Sequence, residues 1–214
     1  MNTDRLIAEL AAGLTPVRRL PPPPVLLLGW TLFASAVIGA AILLLGGHGP
    51  LLTREAGLFE SMHLVAAALT ALLAGLAAFE LALPDRDRRW SWLPLPAVAL
   101  WLGTMGAGCV AELLRLGPGG IEFYVSWSCM AFIIGLGVPM AGGILWLTRH
   151  AAGLRPGPVA ACGALSAAAF ASLGLTFVHP GYGPVMVLVW HGLSVLALTA
   201  LVAKLGPAVQ RAAA

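Results

Sequence analysis

Side chains able to do chemistry are few in this chain. There are three cysteines, Cys109, Cys129 and Cys162, and five histidines, His48, His63, His150, His179 and His191. No Cys-x-x-Cys, no His-Glu-x-x-His, no phosphate loop and no triad spacing connects them, so zinc-ribbon, metalloprotease, nucleotide-hydrolase and acyl-transfer readings all lack their signatures. Thiols grouped with imidazoles suit two kinds of event. One is a thiol/disulfide switch; the other is transient capture of a soft metal ion such as copper, zinc or cadmium. Either is sensing rather than turnover, and the chain reads as a non-enzyme.

The elements that position these residues are membrane spans. Of 214 residues, 59% are hydrophobic and 10% charged, which leaves too little polar surface for a water-soluble domain. Apolar runs of about 20 residues match helices crossing a hydrocarbon layer of roughly 30 Å and exceed barrel strands. Six are legible: about Val25 to Leu45, Leu58 to Leu83, Leu93 to Leu113, Phe123 to Leu147, Pro158 to Val178 and Pro184 to Leu205. The expected architecture is all-α, a six-helix transmembrane bundle with a short N-terminal amphipathic helix. Residues 1–24 form a water-exposed segment, 25–205 the membrane domain and 206–214 a tail.

Charge in the loops sets the orientation. With the N-terminus cytoplasmic, Arg5, Arg18, Arg19, Arg86, Arg88, Arg89, Arg149, Arg155, Lys204 and Arg211 lie inside, and only Arg54 and Arg115 outside. This bias places both termini in the cytoplasm of a bacterium and the protein in its inner membrane. The Ala34-Ser35-Ala36 stretch is not a cleavage site, because the apolar run continues well beyond it and the leader carries Asp4, Glu9 and four prolines.

Sorting side chains by depth puts Cys109, Glu112, Cys129, Glu60, His63, His179 and His191 in the outer half of the bilayer, with His48 in the first outer loop. Consecutive spans joined by a short loop place Cys109 and Cys129 at similar depth, with Cys129 in the second turn of its span. Each residue also has a plainer reading. Cys162, in an Ala-rich span, fits as a small apolar filler. Solvation accounts for His63, Glu60 and Glu112 near the interface, and for His150 in an inner loop. His179 before Pro180 fits the end of a helix; His191 needs a buried partner, whether structural or ligand. Glu80 is expected to pair with Arg86, Arg88 or Arg89.

The N-terminal segment has its own pattern. From Thr3, Leu6, Ile7, Leu10, Ala11 and Leu14 recur on one helical face, away from Asp4, Arg5 and Glu9. A helix of about a dozen residues is marginal alone in water, so this one needs a surface to fold against. The prolines at 21 to 24 favour an extended spacer. No helix-turn-helix is present, and no direct contact with nucleic acid is expected.

The opening Met1-Asn2-Thr3-Asp4-Arg5-Leu6-Ile7 and Pro16-Val17-Arg18-Arg19-Leu20-Pro21-Pro22-Pro23 resemble the NrsF family of membrane-bound negative regulators of extracytoplasmic-function sigma factors. The likeness continues through Leu76 to Pro84, Gly108-Cys109, Ser128-Cys129 and Leu188-Val189-Trp190-His191-Gly192. It implies an anti-sigma factor that holds its sigma factor at the membrane and releases it under metal or oxidative stress through paired cysteines, matched here by Cys109 and Cys129. The resemblance gives the stripe Leu6, Ile7, Leu10 and Leu14, with Arg18 and Arg19, the role of sigma-factor contact. Cys109, Cys129, His191 and His179 become the sensing set, and the first three the candidate metal ligands. The segment after His179, Pro180-Gly181-Tyr182-Gly183, departs from the family expectation of a further polar or thiol residue. Two other classes compete. A haem or redox protein would use His179 and His191 as axial ligands, and a small transporter would need broken helices and a charged midplane path, which the sequence lacks.

Overall fold

A computed structural model of the chain describes residues 3–14, 20–47, 58–117, 119, 126–151, 154–178 and 183–213, without the side chains of 58–60 and 213. Seven α-helices are found there: α1 Thr3–Ala12, α2 Pro23–Leu45, α3 Leu58–Leu81, α4 Leu95–Leu116, α5 Trp127–Leu147, α6 Pro156–Val178 and α7 Pro184–Ala213. Among the described residues there is no strand, and α2 to α7 are long and apolar enough to cross a membrane. An even number of crossings returns both termini to one face of the bundle, here the terminal face; the opposite one is the distal face.

Several boundaries differ from those read in the sequence, each for a local reason. Pro23 and Pro24 form the first turn of α2, where a missing N–H costs nothing, so only Pro21 and Pro22 remain as extended spacer. Helix α5 starts at Trp127, which puts Cys129 in its first turn; Phe123 to Val125 lie outside the described residues. The last helix does not stop at Leu205 but continues through Pro207 to Ala213, so most of the 206–214 tail is helical. Helices α2 and α4 end at Gly46 (φ 81°) and Gly117 (φ 70°), whose N–H groups bond back to Ile42 and Leu113 carbonyls. A positive φ is strained for any residue with a Cβ.

Helix α6 is the axis of the bundle and packs against α2, α3, α5 and α7. Its buried residues are nearly all Ala, Gly or Ser, and none of its large apolar side chains is exposed. Small residues let backbones approach, which is how helices associate in lipid where hydrophobic burial gives little discrimination. A Cβ on Gly163 would stand 2.9 Å from Ile144 Cγ2, and one on Gly75 2.9 Å from Ser166 Oγ. Ser166 in turn donates to the Ala71 carbonyl of α3. Exposed Leu28 and Leu32 on α2, Leu100 and Leu102 on α4, and Leu196 and Leu201 on α7 form the lipid-facing surface.

At the terminal face the expected carboxylate–arginine pair is present. Arg86 Nε lies 3.0 Å from Glu80 Oε2, although its N–H is not aimed at that oxygen. Glu80 is buried and Arg86 about half-exposed. Arg86→Ala is expected to destabilise the bundle by about 2–3 kcal/mol, less than the loss of a fully buried partner because water reaches the pair. Adding Glu80→Gln should recover most of the loss in a detergent thermal melt.

Candidate functional site

The distal ends of α4, α5 and α7 carry most of the chemistry-bearing residues. Cys109 is half-buried on α4, and one turn beyond it Glu112 reaches the start of α7, where Oε2 accepts the Val185 N–H at 3.2 Å. The first N–H groups of a helix are unpaired and its N-terminus carries partial positive charge, so a carboxylate there is favoured twice over. Close packing enforces the contact. A Cβ on Gly183 would stand 3.0 Å from Glu112 Cδ, and one on Gly108 would stand 3.0 Å from Pro184 Cβ. Solvation is therefore not the account of Glu112: it ties α4 to α7. The sequence carried one signal for it, an acidic residue one turn from the end of an apolar span.

Cys129 is 2% exposed and accepts a hydrogen bond from Ser126 Oγ at 2.9 Å. Beside it, Trp127 of α5 meets Trp190 of α7 with ring centroids 6.1 Å apart. Trp190 lies six residues along α7 from Pro184, which abuts Gly108; at 1.5 Å per residue that is about 9 Å. Cys109 thus follows the residue that meets the start of α7, and Cys129 lies in the first turn of α5 beside the Trp127–Trp190 contact. Their helices are not among the closely packed pairs: α4 packs on α3 and α7, α5 on α2, α6 and α7. Helix α7 packs on both, and both cysteines are free thiols.

His191 is buried, its Nδ1 2.9 Å from Ser172 Oγ on α6. Ser172 was not legible as its partner, because a serine in an Ala-rich span gives no clue to which helix it faces. His63 is fixed by Trp101, whose Nε1–H donates to His63 Nε2 at 3.4 Å. Among the described residues no three His, Cys, Asp or Glu side chains gather into a group able to hold a metal ion, so Cys109, Cys129 and His191 are not a preformed triad. His179 and His48 lie outside the described residues, as does the side chain of Glu60. Cys162 is buried in α6, in the core formed with Ile144 and Leu175.

On the terminal side, α1 stands apart from the bundle. None of its residues is buried, and it is not among the packed helix pairs. Ile7, Leu10 and Leu14 are 59%, 64% and 76% exposed, Leu6 somewhat less, and Leu14 falls just past the helix end. Arg5 and Glu9 pair at 3.1 Å on the other side, a solvated i,i+4 contact worth a few tenths of a kcal/mol. Arg18 and Arg19 lie outside the described residues.

Compared with known protein families, residues 10–211 match the family NrsF, negative regulator of sigma F. The chain belongs to this family. Its members' description makes it a membrane-spanning negative regulator of a sigma factor, with that sigma factor as partner. The match begins inside α1, so Leu10 and Leu14 fall within it and Leu6 and Ile7 just before it. Comparisons with curated proteins and with solved structures returned no match.

Proposed function

We propose that this NrsF-family chain holds an extracytoplasmic-function sigma factor at the bacterial inner membrane through α1 and releases it when metal or oxidant reaches the thiols at the distal face. The observation that carries the reading is the uncovered apolar stripe of α1, tethered to a six-span domain whose family is named for sigma-factor regulation. An amphipathic helix too short to be stable alone gains its structure from the partner it binds, so its occupancy is easily reversed. The arginine-rich face beside it corresponds to the cytoplasmic side.

Helix α7 is the candidate transmission element, because it makes side-chain contacts at both of its ends and packs on the helices of both thiols. Its start is held by Glu112, and near its end Gln210 Nε2 donates to Thr148 Oγ1 at 2.9 Å. Joining Cys109 and Cys129 as a disulfide, with two electrons and two protons passing to the oxidant, requires Cα atoms within roughly 7 Å. Their helices would have to converge past the first turns of α7. A soft metal bridging the two sulfurs, with His191 or His179 as a further ligand, makes the same demand. Either event displaces α7 and, through it, the terminal face, a shift of packed helices.

Co-purification of the full-length protein with its sigma factor, repeated without residues 1–14, tests the output. Binding undiminished by the truncation removes α1 from the role. For the input, Cys109→Ser with Cys129→Ser is expected to leave resting retention intact and to reduce induction of a sigma-dependent reporter by cadmium or peroxide to its uninduced level. A normal response from the double variant rules out the thiol switch.

A further inference from the structure

A cavity of about 170 Å³ opens on the terminal face between the ends of α3, α5, α6 and α7. Arg149, Arg155 and Arg211 stand around it, and Leu81, Val159 and Pro207 supply apolar wall. Three arginines lining one cavity repel one another unless an anion compensates them. Among the described residues no carboxylate lies within ion-pair distance of any of the three: the ion pairs there are Arg5–Glu9 and Arg86–Glu80.

The arginines are held in place by the fold. Arg149 stacks 4.0 Å over the ring of exposed Trp146 and donates to its carbonyl at 2.6 Å. Arg155 donates to the carbonyl of Arg86, which anchors it to the loop after α3. Each guanidinium has five N–H donors, so one such bond leaves most of them for a ligand. The Thr148–Gln210 hydrogen bond closes the side between α5 and α7. Helix α6 begins at Pro156 on the cavity wall while α3, α5 and α7 end beside it, so the helix dipoles offset one another and the positive potential is that of the arginines.

Position and lining together select the ligand. The cavity lies where three spans end, with a tryptophan–arginine pair at its edge as at a membrane–water boundary. Its charged rim and apolar wall ask for an amphiphile whose anionic group and hydrocarbon arrive together. We propose that this cavity binds the phosphate of an anionic phospholipid from the adjoining leaflet, the guanidiniums taking the phosphate oxygens and the apolar wall the start of the lipid's chains. Basic pockets between spans recognise headgroups by this chemistry. The proposal does not depend on how α1 or the thiols act.

The test is native mass spectrometry of the full-length protein from micelles doped with phosphatidylglycerol, with phosphatidylcholine, or with inorganic phosphate. Arg155→Gln with Arg211→Gln is compared with Arg88→Gln and Arg89→Gln, which remove the same charge from exposed positions outside the cavity. Wild type and the outer pair should retain phosphatidylglycerol selectively. Cavity variants should weaken it by roughly fivefold per arginine, about twenty-five-fold together. Arg211→Gln alone, at an exposed residue, carries the test should the double variant misfold. Equal losses in both pairs would reduce the effect to diffuse charge and overturn the site. Equal competition by inorganic phosphate would overturn the lipid assignment. Sigma-factor binding lost from the cavity variants while lipid binding persists would make the cavity a protein-docking site and refute the proposal.

Discussion

Aspartate at Leu6, Ile7 and Leu10 together is expected to weaken sigma-factor binding by about a thousandfold, the largest functional effect any small set of substitutions should have here. The estimate follows from the geometry of α1. These side chains share one face, none is buried by the bundle, and a groove-binding helix concentrates its affinity in such i, i+3/i+4 anchors. At about 1.5 kcal/mol per anchor the sum exceeds 4 kcal/mol, the interval between nanomolar and micromolar affinity. Charge change alone is controlled by Arg5→Asp with Ala8→Asp, which lowers the net charge by the same three units at exposed positions off the stripe and should alter affinity by less than tenfold. Titration of the sigma factor against protein in nanodiscs reads both. If the two sets weaken binding equally, the contact is electrostatic and the stripe is not its centre.

The second large effect concerns the bundle. Trp30→Ala should destabilise it by about 3–5 kcal/mol, a fall of roughly 10 °C in melting temperature for a chain of this size. Trp30 is 1% exposed, meets Phe170 of α6 edge-on with centroids 5.1 Å apart, and donates Nε1–H to the Met140 carbonyl of α5 at 3.2 Å. It is the one aromatic side chain on the buried face of α2, whose other buried residues are Pro23, Ala34, Ile38 and Ala41. Its loss leaves α2 held mainly by small side chains. In lipid the cost arises from lost contacts and a cavity more than from transfer out of water, because the surroundings are as apolar as the core. Trp30→Phe, which keeps the edge-to-face contact but removes the donor, should cost only about 1–2 kcal/mol. Circular dichroism in mild detergent distinguishes the two; equal melting temperatures for wild type and the alanine variant would show that α2 is peripheral.

The two arguments draw on different kinds of information. The stripe on α1 was readable from spacing, since water on one side and a partner on the other impose a helical period on the sequence. The six spans were readable from length and apolar content, and the Glu80–Arg86 pair from proximity in sequence, which a helix end and a short loop convert into proximity in space. Trp30 looked like any other residue of an apolar run. The same was true of Ser172 beside His191, whereas Glu112 stood out as an acidic residue near the end of a span and only its partner on α7 was hidden.

The sequence by itself determined that this chain crosses a membrane six times and carries a short amphipathic helix ahead of the first span; that this helix is uncovered came from the structure. Only the tertiary structure decided that α6 is the axis and that α7 packs on both the helix of Cys109 and the helix of Cys129. The reason is the solvent. Lipid makes every face of a span apolar, so the hydrophobic pattern that marks a buried face in water is nearly silent about which helices touch. That choice falls to small residues and a few hydrogen bonds, such as Gly75 against Ser166, Glu112 on Val185 and Ser172 on His191, whose partners lie on other helices and are fixed only when the bundle is packed.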